Sequence, residues 1–95
     1  MNNKFNVGDF VKIKKFEELV YYMDRDFLPY CDYKNLIGVV KEVNFLDIPK
    51  AMYKDHPNFK PMPIYNVQFT IELTSIQNHE LLVHSIHEIS LKSSS

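Results

Sequence analysis

Glycine is nearly missing from this chain. Gly8 and Gly38 are the only two in 95 residues, so no glycine-rich loop exists to cradle a phosphate. Arginine is scarcer still: Arg25 stands alone against ten lysines, and guanidinium is the group that reads guanine or phosphate in a bidentate way. The single cysteine, Cys31, excludes an internal disulfide and fits a reducing compartment, so the expected location is cytoplasmic. No apolar run approaches the roughly 20 residues that a membrane-spanning helix needs. The opening "MNNKFNVGDF" has no apolar stretch of the kind a secretory signal carries.

The chain does have aromatics, seven Phe and six Tyr, and an overall charge of −1 that is unevenly spread. Residues 1–15 hold four Lys against one Asp, and residues 16–33 hold five acids against Arg25. Residues 34–60 turn basic again. Blocks of alternating sign describe a dipolar surface, not a polycation built for phosphate backbones. At this length one domain is expected, over residues 1–92, with a frayed serine tail at 93–95.

Periodicity supplies the elements. "VGDFVKIK" alternates from Val7 to Lys14, with Val7, Val11 and Ile13 toward a core, and predicts a first strand. In the next segment Phe16, Leu19, Val20, Met23 and Phe27 fall on one helical face, with Glu17, Glu18, Asp24 and Arg25 opposite. Pro29 ends that helix. "LIGVVKEVNF" (36–45) is β-branched but keeps no single parity, so Gly38 is expected at a bulge or bend. "YNVQFTIEL" is a half-buried antiparallel strand: Tyr65, Val67, Phe69, Ile71 and Leu73 point one way, Asn66, Gln68, Thr70 and Glu72 the other. "HELLV" predicts a fourth strand, "HSIH" a tight turn or one helical turn, and "EISL" a short last strand.

Taken in order, "FNVGDFVKI", "GVVKEV", "YNVQF" and "ELLVHSIHEISL" resemble the strand succession of SH3-like barrels, including KOW-type and nitrile hydratase β-subunit-like domains. The resemblance spans nearly the whole chain and implies a mainly β fold: a five-stranded antiparallel SH3-like barrel. Two departures stand out, a short helix inserted after strand 1 and a long loop between strands 2 and 3. A hydrophobic pattern of this kind speaks to fold and says little of function.

Catalytic and metal chemistry find little support. In "HELLVHSIHE", His79 and His84 are five residues apart, one more than the zinc-binding HExxH helix requires, and on a helix they diverge by about 140°. His84 and His87 would make only two ligands. Cys31, in "PYCDY" among aromatic neighbours, reads as a packed thiol and not as a nucleophile. The expectation is a non-enzymatic protein with no metal and no cofactor.

Two surfaces remain. Four of the five prolines lie in "DIPKAMYKDHPNFKPMP" (47–63), beside Met52, Tyr53, Phe59 and Met62 and the rim lysines Lys50, Lys54 and Lys60. A proline-stiffened apolar loop loses less entropy when a partner fixes it, and Met and Tyr adapt to many contacts. Met52, Tyr53, Phe59, Met62, Lys54 and Lys60, with Tyr21 and Tyr22 beside the helix stripe, are therefore the expected contacts of a protein-binding module. Size and composition suit a small bacterial or phage-encoded modulator of a larger machine. The alternative is a KOW-like binder of RNA, DNA or the transcription or translation apparatus, using Lys12, Lys14, Lys15, Lys41 and Phe10. A weaker alternative, an accessory subunit-like domain of a metalloenzyme, rests on the nitrile hydratase resemblance. The identity of the partner and the oligomeric state are not legible.

Overall fold

The computed structural model describes residues 3–46, 62–74 and 76–94. The chain is mainly β, with one α-helix among those residues. The elements are β1 (Phe10–Ile13), α1 (Phe16–Tyr22), a 3-10 turn at Leu28–Tyr30, β2 (Gly38–Leu46), β3 (Met62–Glu72), β4 (Asn78–His87), a second 3-10 turn at Glu88–Ser90, and β5 (Leu91–Ser93). All strands belong to one antiparallel sheet of order β4-β3-β2-β1-β5. Among the described residues no ladder joins β4 to β5, so the sheet is open and not a closed barrel. Among the described residues no helix is long and apolar enough to cross a membrane.

One face of the sheet is the core face. Val11, Ile13, Val40, Tyr65, Val67, Phe69, Ile71, Val83, Ile86 and Leu91 are buried there. The β1–β2 connection covers this face, burying Leu19, Met23 and Leu36 against it. Tyr22 and Phe27 bracket β4: the Tyr22 hydroxyl accepts the His87 N–H at 3.3 Å, and the Phe27 ring stacks on His79 at 4.5 Å. Residues after the helix are tied back to β1, where the Tyr33 hydroxyl donates to the Lys14 carbonyl and Lys12 Nζ donates to the Lys34 carbonyl at 2.9 Å. The helix is shorter than its periodicity predicts. Its Leu19 and Met23 reach the core, while Phe16 and Val20 stay exposed because seven residues present only one narrow stripe inward.

Gly38 sits where three strands cross, opposite both Val11 and Phe69. A Cβ there would meet Val67 Cγ1 at 2.3 Å and Phe69 Cε1 at 2.7 Å. Its function is close approach and not the predicted bulge. The register slips three residues later, at Lys41, an extra residue between the pairs Val40–Val67 and Glu42–Asn66. A second slip faces it across β3, where Asn66 alone opposes His84 and Ser85. Asn66 is buried and joins the two bulges. Its amide donates to Glu42 Oε2 at 3.0 Å and its carbonyl oxygen accepts the Ser85 N–H at 3.0 Å. Ser85 takes φ 58°, the left-handed region that a bulge demands. "HSIH" therefore continues β4 through a bulge instead of turning, and the helical turn falls at Glu88–Ser90, where a strand is expected from sequence. The last strand moves accordingly into the serine tail. Ser93 pairs with Val11, and the Ser94 N–H donates to the Phe10 carbonyl at 3.1 Å.

The N-terminal segment is latched across the end of the sheet. Phe5 is buried edge-to-face on Tyr65, with ring centroids 5.5 Å apart, taking the core place that the alternation assigns to the exposed Val7. The Tyr65 hydroxyl accepts the Phe5 N–H at 3.3 Å and donates to Glu88 Oε2 at 2.6 Å, and the same carboxylate oxygen accepts the Lys4 N–H at 2.9 Å. Burial, and then the Glu88 carboxylate, push the Tyr65 phenol up to about 12 from an ordinary 10.0.

Two outcomes follow from this packing. Gly38→Ala forces β2 away from β3 and costs about 1–3 kcal/mol in a urea melt, as overpacking does elsewhere. The unfolded chain releases the Tyr65 proton near pH 10 and the folded chain near 12. Stability from the neutral buried phenol is thus complete below about pH 10 and lost as pH rises through about 12, by on the order of 2–3 kcal/mol. Melts between pH 9 and 12 should show this loss, and Tyr65→Phe should remove that component of it.

Candidate functional site

The opposite face of the sheet has no described element over it. On β1, Val11 and Ile13 are buried, so Phe10 and Lys12 take this outer face. The ladders set Phe10 beside Val39, Val39 beside Gln68, and Gln68 beside Leu82. A row that crosses four strands is thus apolar at three of its four positions. Phe10 is 58% exposed and Leu82 42%, at the two ends of the row. One step along the register Ile37, 43% exposed, comes alongside Lys12. Such side chains, scattered singly, would be ordinary; joined across a sheet they form a patch of the kind that contacts another molecule. An open depression of about 410 Å³, lined by Phe5, Gly8, Asp9, Phe10, Ser93 and Ser94, adjoins Phe10.

At its β1–β5 end this face is basic, while on β3 and β4 the register places Glu72 and Glu80 on it. Lys12 stands directly opposite Lys92 in the β1–β5 ladder. Like charges at that spacing repel, and neither ammonium has a carboxylate partner among the described residues. Beside the outer row Gln68 Nε2 donates to Glu80 Oε2 at 2.5 Å, which orients that carboxylate and leaves its charge in place.

The residues singled out in the sequence separate into three groups. Met52, Tyr53, Lys54, Phe59 and Lys60 lie outside the described residues, and Met62 is the half-buried first residue of β3, paired with Leu46. Tyr21 is 81% exposed, but Tyr22 is half-buried, with its ring against the core and its hydroxyl on β4. Tyr22 is a structural contact and not a free surface residue. Of the basic set, Lys12 and Phe10 share the outer face. Lys14 and Lys15 lead exposed into α1, the Lys15 carbonyl accepting the first helical N–H groups. Lys41 does not join them. The antiparallel register puts it beyond the Phe10–Val39 pair, at the opposite end of the β1–β2 ladder from Lys14 and Lys15. Lys92, Val39 and Leu82 escaped the sequence reading, although outward parity on β2 and β4 marks the latter two. Lys92 could be found only from the β1–β5 register.

Among the described residues no three His, Cys, Asp or Glu side chains converge on a common point. His79 is half-buried against Phe27, His84 is exposed at the bulge, and the backbone of His87 is bonded to Tyr22. The Cys31 thiol is half-buried, donates to the Phe27 carbonyl at 3.2 Å, and is pushed up from its ordinary value of 9.0 by burial. Comparison of the chain with protein-family models, with curated proteins and with solved structures finds no match.

Because only thiolate reacts with alkylating reagents, the raised thiol should make Cys31 slow. Iodoacetamide at pH 7.5 should modify the folded chain at least ~3-fold more slowly than the urea-unfolded chain. Equal rates would mean that the thiol is neither shielded nor held by Phe27.

Proposed function

We propose that this chain is a non-enzymatic protein-binding module on an SH3-like scaffold. Two features support the scaffold reading. The strand order β4-β3-β2-β1-β5 carries the last strand back beside the first, and a single 3-10 turn separates β4 from β5. Both suit the SH3-like strand succession that the sequence resembles. The observation that carries the binding reading is the outer row Phe10–Val39–Leu82 with Ile37 beside it. The core face has a lid of its own in the β1–β2 connection, and the outer face has none among the described residues. Aliphatic side chains of this kind desolvate against another protein. They offer no planar surface on which bases could stack, apart from Phe10.

The loop over residues 47–63 belongs to the proposal on sequence grounds, through its prolines and its Met52, Tyr53 and Phe59. A second reading, attachment to nucleic acid through Lys12, Lys14 and Lys15, draws on the uncompensated Lys12–Lys92 pair beside Phe10.

Capture on the immobilised full chain separates these readings. The protein-docking reading expects a partner that survives ~0.3 M salt and nuclease and is lost at least ~10-fold on Phe10→Ser with Leu82→Ser. Loss on Tyr53→Ala or Phe59→Ala instead would move the contact to the loop. Release by nuclease, together with loss on Lys12→Glu/Lys14→Glu, would overturn protein docking in favour of nucleic acid.

A further inference from the structure

β4 is the last strand of the sheet on its side, and only its two ends are held. Among the described residues no strand pairs with its outward edge. At one end the Phe27 ring lies on His79. At the other the Tyr22 hydroxyl accepts the His87 N–H, and the bulge with Ser85 at φ 58° breaks the regular run. Sheets protect an outermost strand with lysine, proline, a bulge or a covering element. Residues 80–84, between the two held ends, contain neither lysine nor proline and precede the bulged Ser85. Their side chains alternate. Val83 is buried and Leu81 half-buried on the core face, while Glu80, Leu82 and His84 are exposed on the outer face.

We infer that this open run of β4 pairs antiparallel with β4 of a second copy of the chain, across a two-fold axis level with Leu82. Residues directly opposite on antiparallel strands point to the same face, so a two-fold axis normal to the sheet must lie level with a residue. Leu82 is the middle of the run. With the axis there, Leu82 meets the partner's Leu82, Leu81 meets the partner's Val83, and Glu80 meets the partner's His84, the last two contacts made twice. Apolar side chains oppose apolar ones. Each carboxylate opposes an imidazole, a ring that donates a hydrogen bond whether neutral or charged. Moving the axis to Leu81 sets Glu80 against Leu82; moving it to Val83 sets Leu82 against His84 and Glu80 against Ile86. Of these three registers only the first is self-complementary. The main chain adds roughly four to six hydrogen bonds over the run. An isologous contact of this kind occupies the open edge of both copies, so assembly stops at the dimer. The two sheets become one continuous sheet, with the rows Phe10–Val39–Gln68–Leu82 meeting end to end. The dimer thus extends the outer face and leaves it uncovered, so the pairing goes beyond the docking reading without competing with it.

Sedimentation velocity of the full chain across about 1–200 µM should show a monomer–dimer equilibrium. His84→Glu sets carboxylate against carboxylate at both contacts and should weaken the dimer at least ~10-fold. Glu80→Lys/His84→Glu should bring it back to within ~3-fold of the parent chain. Both side chains are exposed, so melting followed by circular dichroism at about 1 µM should not change. Leu82→Cys in a Cys31→Ser background locates the axis. Directly opposed Cα atoms lie about 4.5–5.5 Å apart, within disulfide reach, so oxidation with diamide should convert most of the chain to a crosslinked dimer. Ile76→Cys in the same background, 95% exposed between β3 and β4, should stay largely uncrosslinked. A chain that remains monomeric at every concentration overturns the inference. So does a dimer indifferent to His84→Glu, a dimer that Leu82→Cys fails to crosslink, or a series of higher oligomers. The docking reading is decided separately, by capture on the immobilised chain.

Discussion

The sheet depends on one vacancy in a side-chain row. At Gly38 the backbones of β1, β2 and β3 lie side by side, and the space that any Cβ would need is filled by Val67 and Phe69. Its core-face neighbours Val11, Val40, Val67 and Phe69 all carry branched or aromatic side chains, so the strands close tightly here. With one of its two glycines spent here and the other in the turn before β1, where Gly8 holds φ 96°, the chain has none left for its remaining bends. It makes those with side-chain hydrogen bonds instead.

Asn66 shows how. A residue that alternation assigns to solvent is drawn inside between two bulges, and its amide satisfies one group on each neighbouring strand. Two bulges back to back bend a sheet more sharply than twist alone, and they sit next to Tyr65, whose hydroxyl ties the N-terminal segment to Glu88. The bend separates two roles. Toward its inside the sheet packs on Leu19, Met23 and Leu36; toward its outside it displays Phe10, Val39 and Leu82.

How legible this was depends on what each residue was competing against. The strand at Tyr65–Leu73 was readable because strict alternation has one physical meaning, and its inward residues Tyr65, Val67, Phe69 and Ile71 are buried. The helix was readable as an element but not in extent, since periodicity cannot tell a stripe that meets a core from one that continues past it; Phe16 and Val20 continue past it. "HSIH" misled because Ser85 at positive φ is a local strain that only Asn66, nineteen residues away, makes acceptable. The site suffered most from register. Lys41 looked like a companion of Lys12 and sits at the other end of the ladder, while Lys92, at the far end of the sequence, turned out to be its direct neighbour. Composition shows which side chains exist, and pairing decides which of them meet.

The way Tyr22 and Phe27 hold the ends of β4 carries a consequence for how the chain behaves when crowded. β4 is a ten-residue outermost strand with no ladder on its far side among the described residues, the kind of margin on which foreign strands nucleate fibrils. A hydroxyl on the His87 amide and a ring laid over His79 act as bumpers at its two ends. The inserted segment thus does more than bury its own stripe: it meets both ends of a strand margin that would otherwise run unguarded.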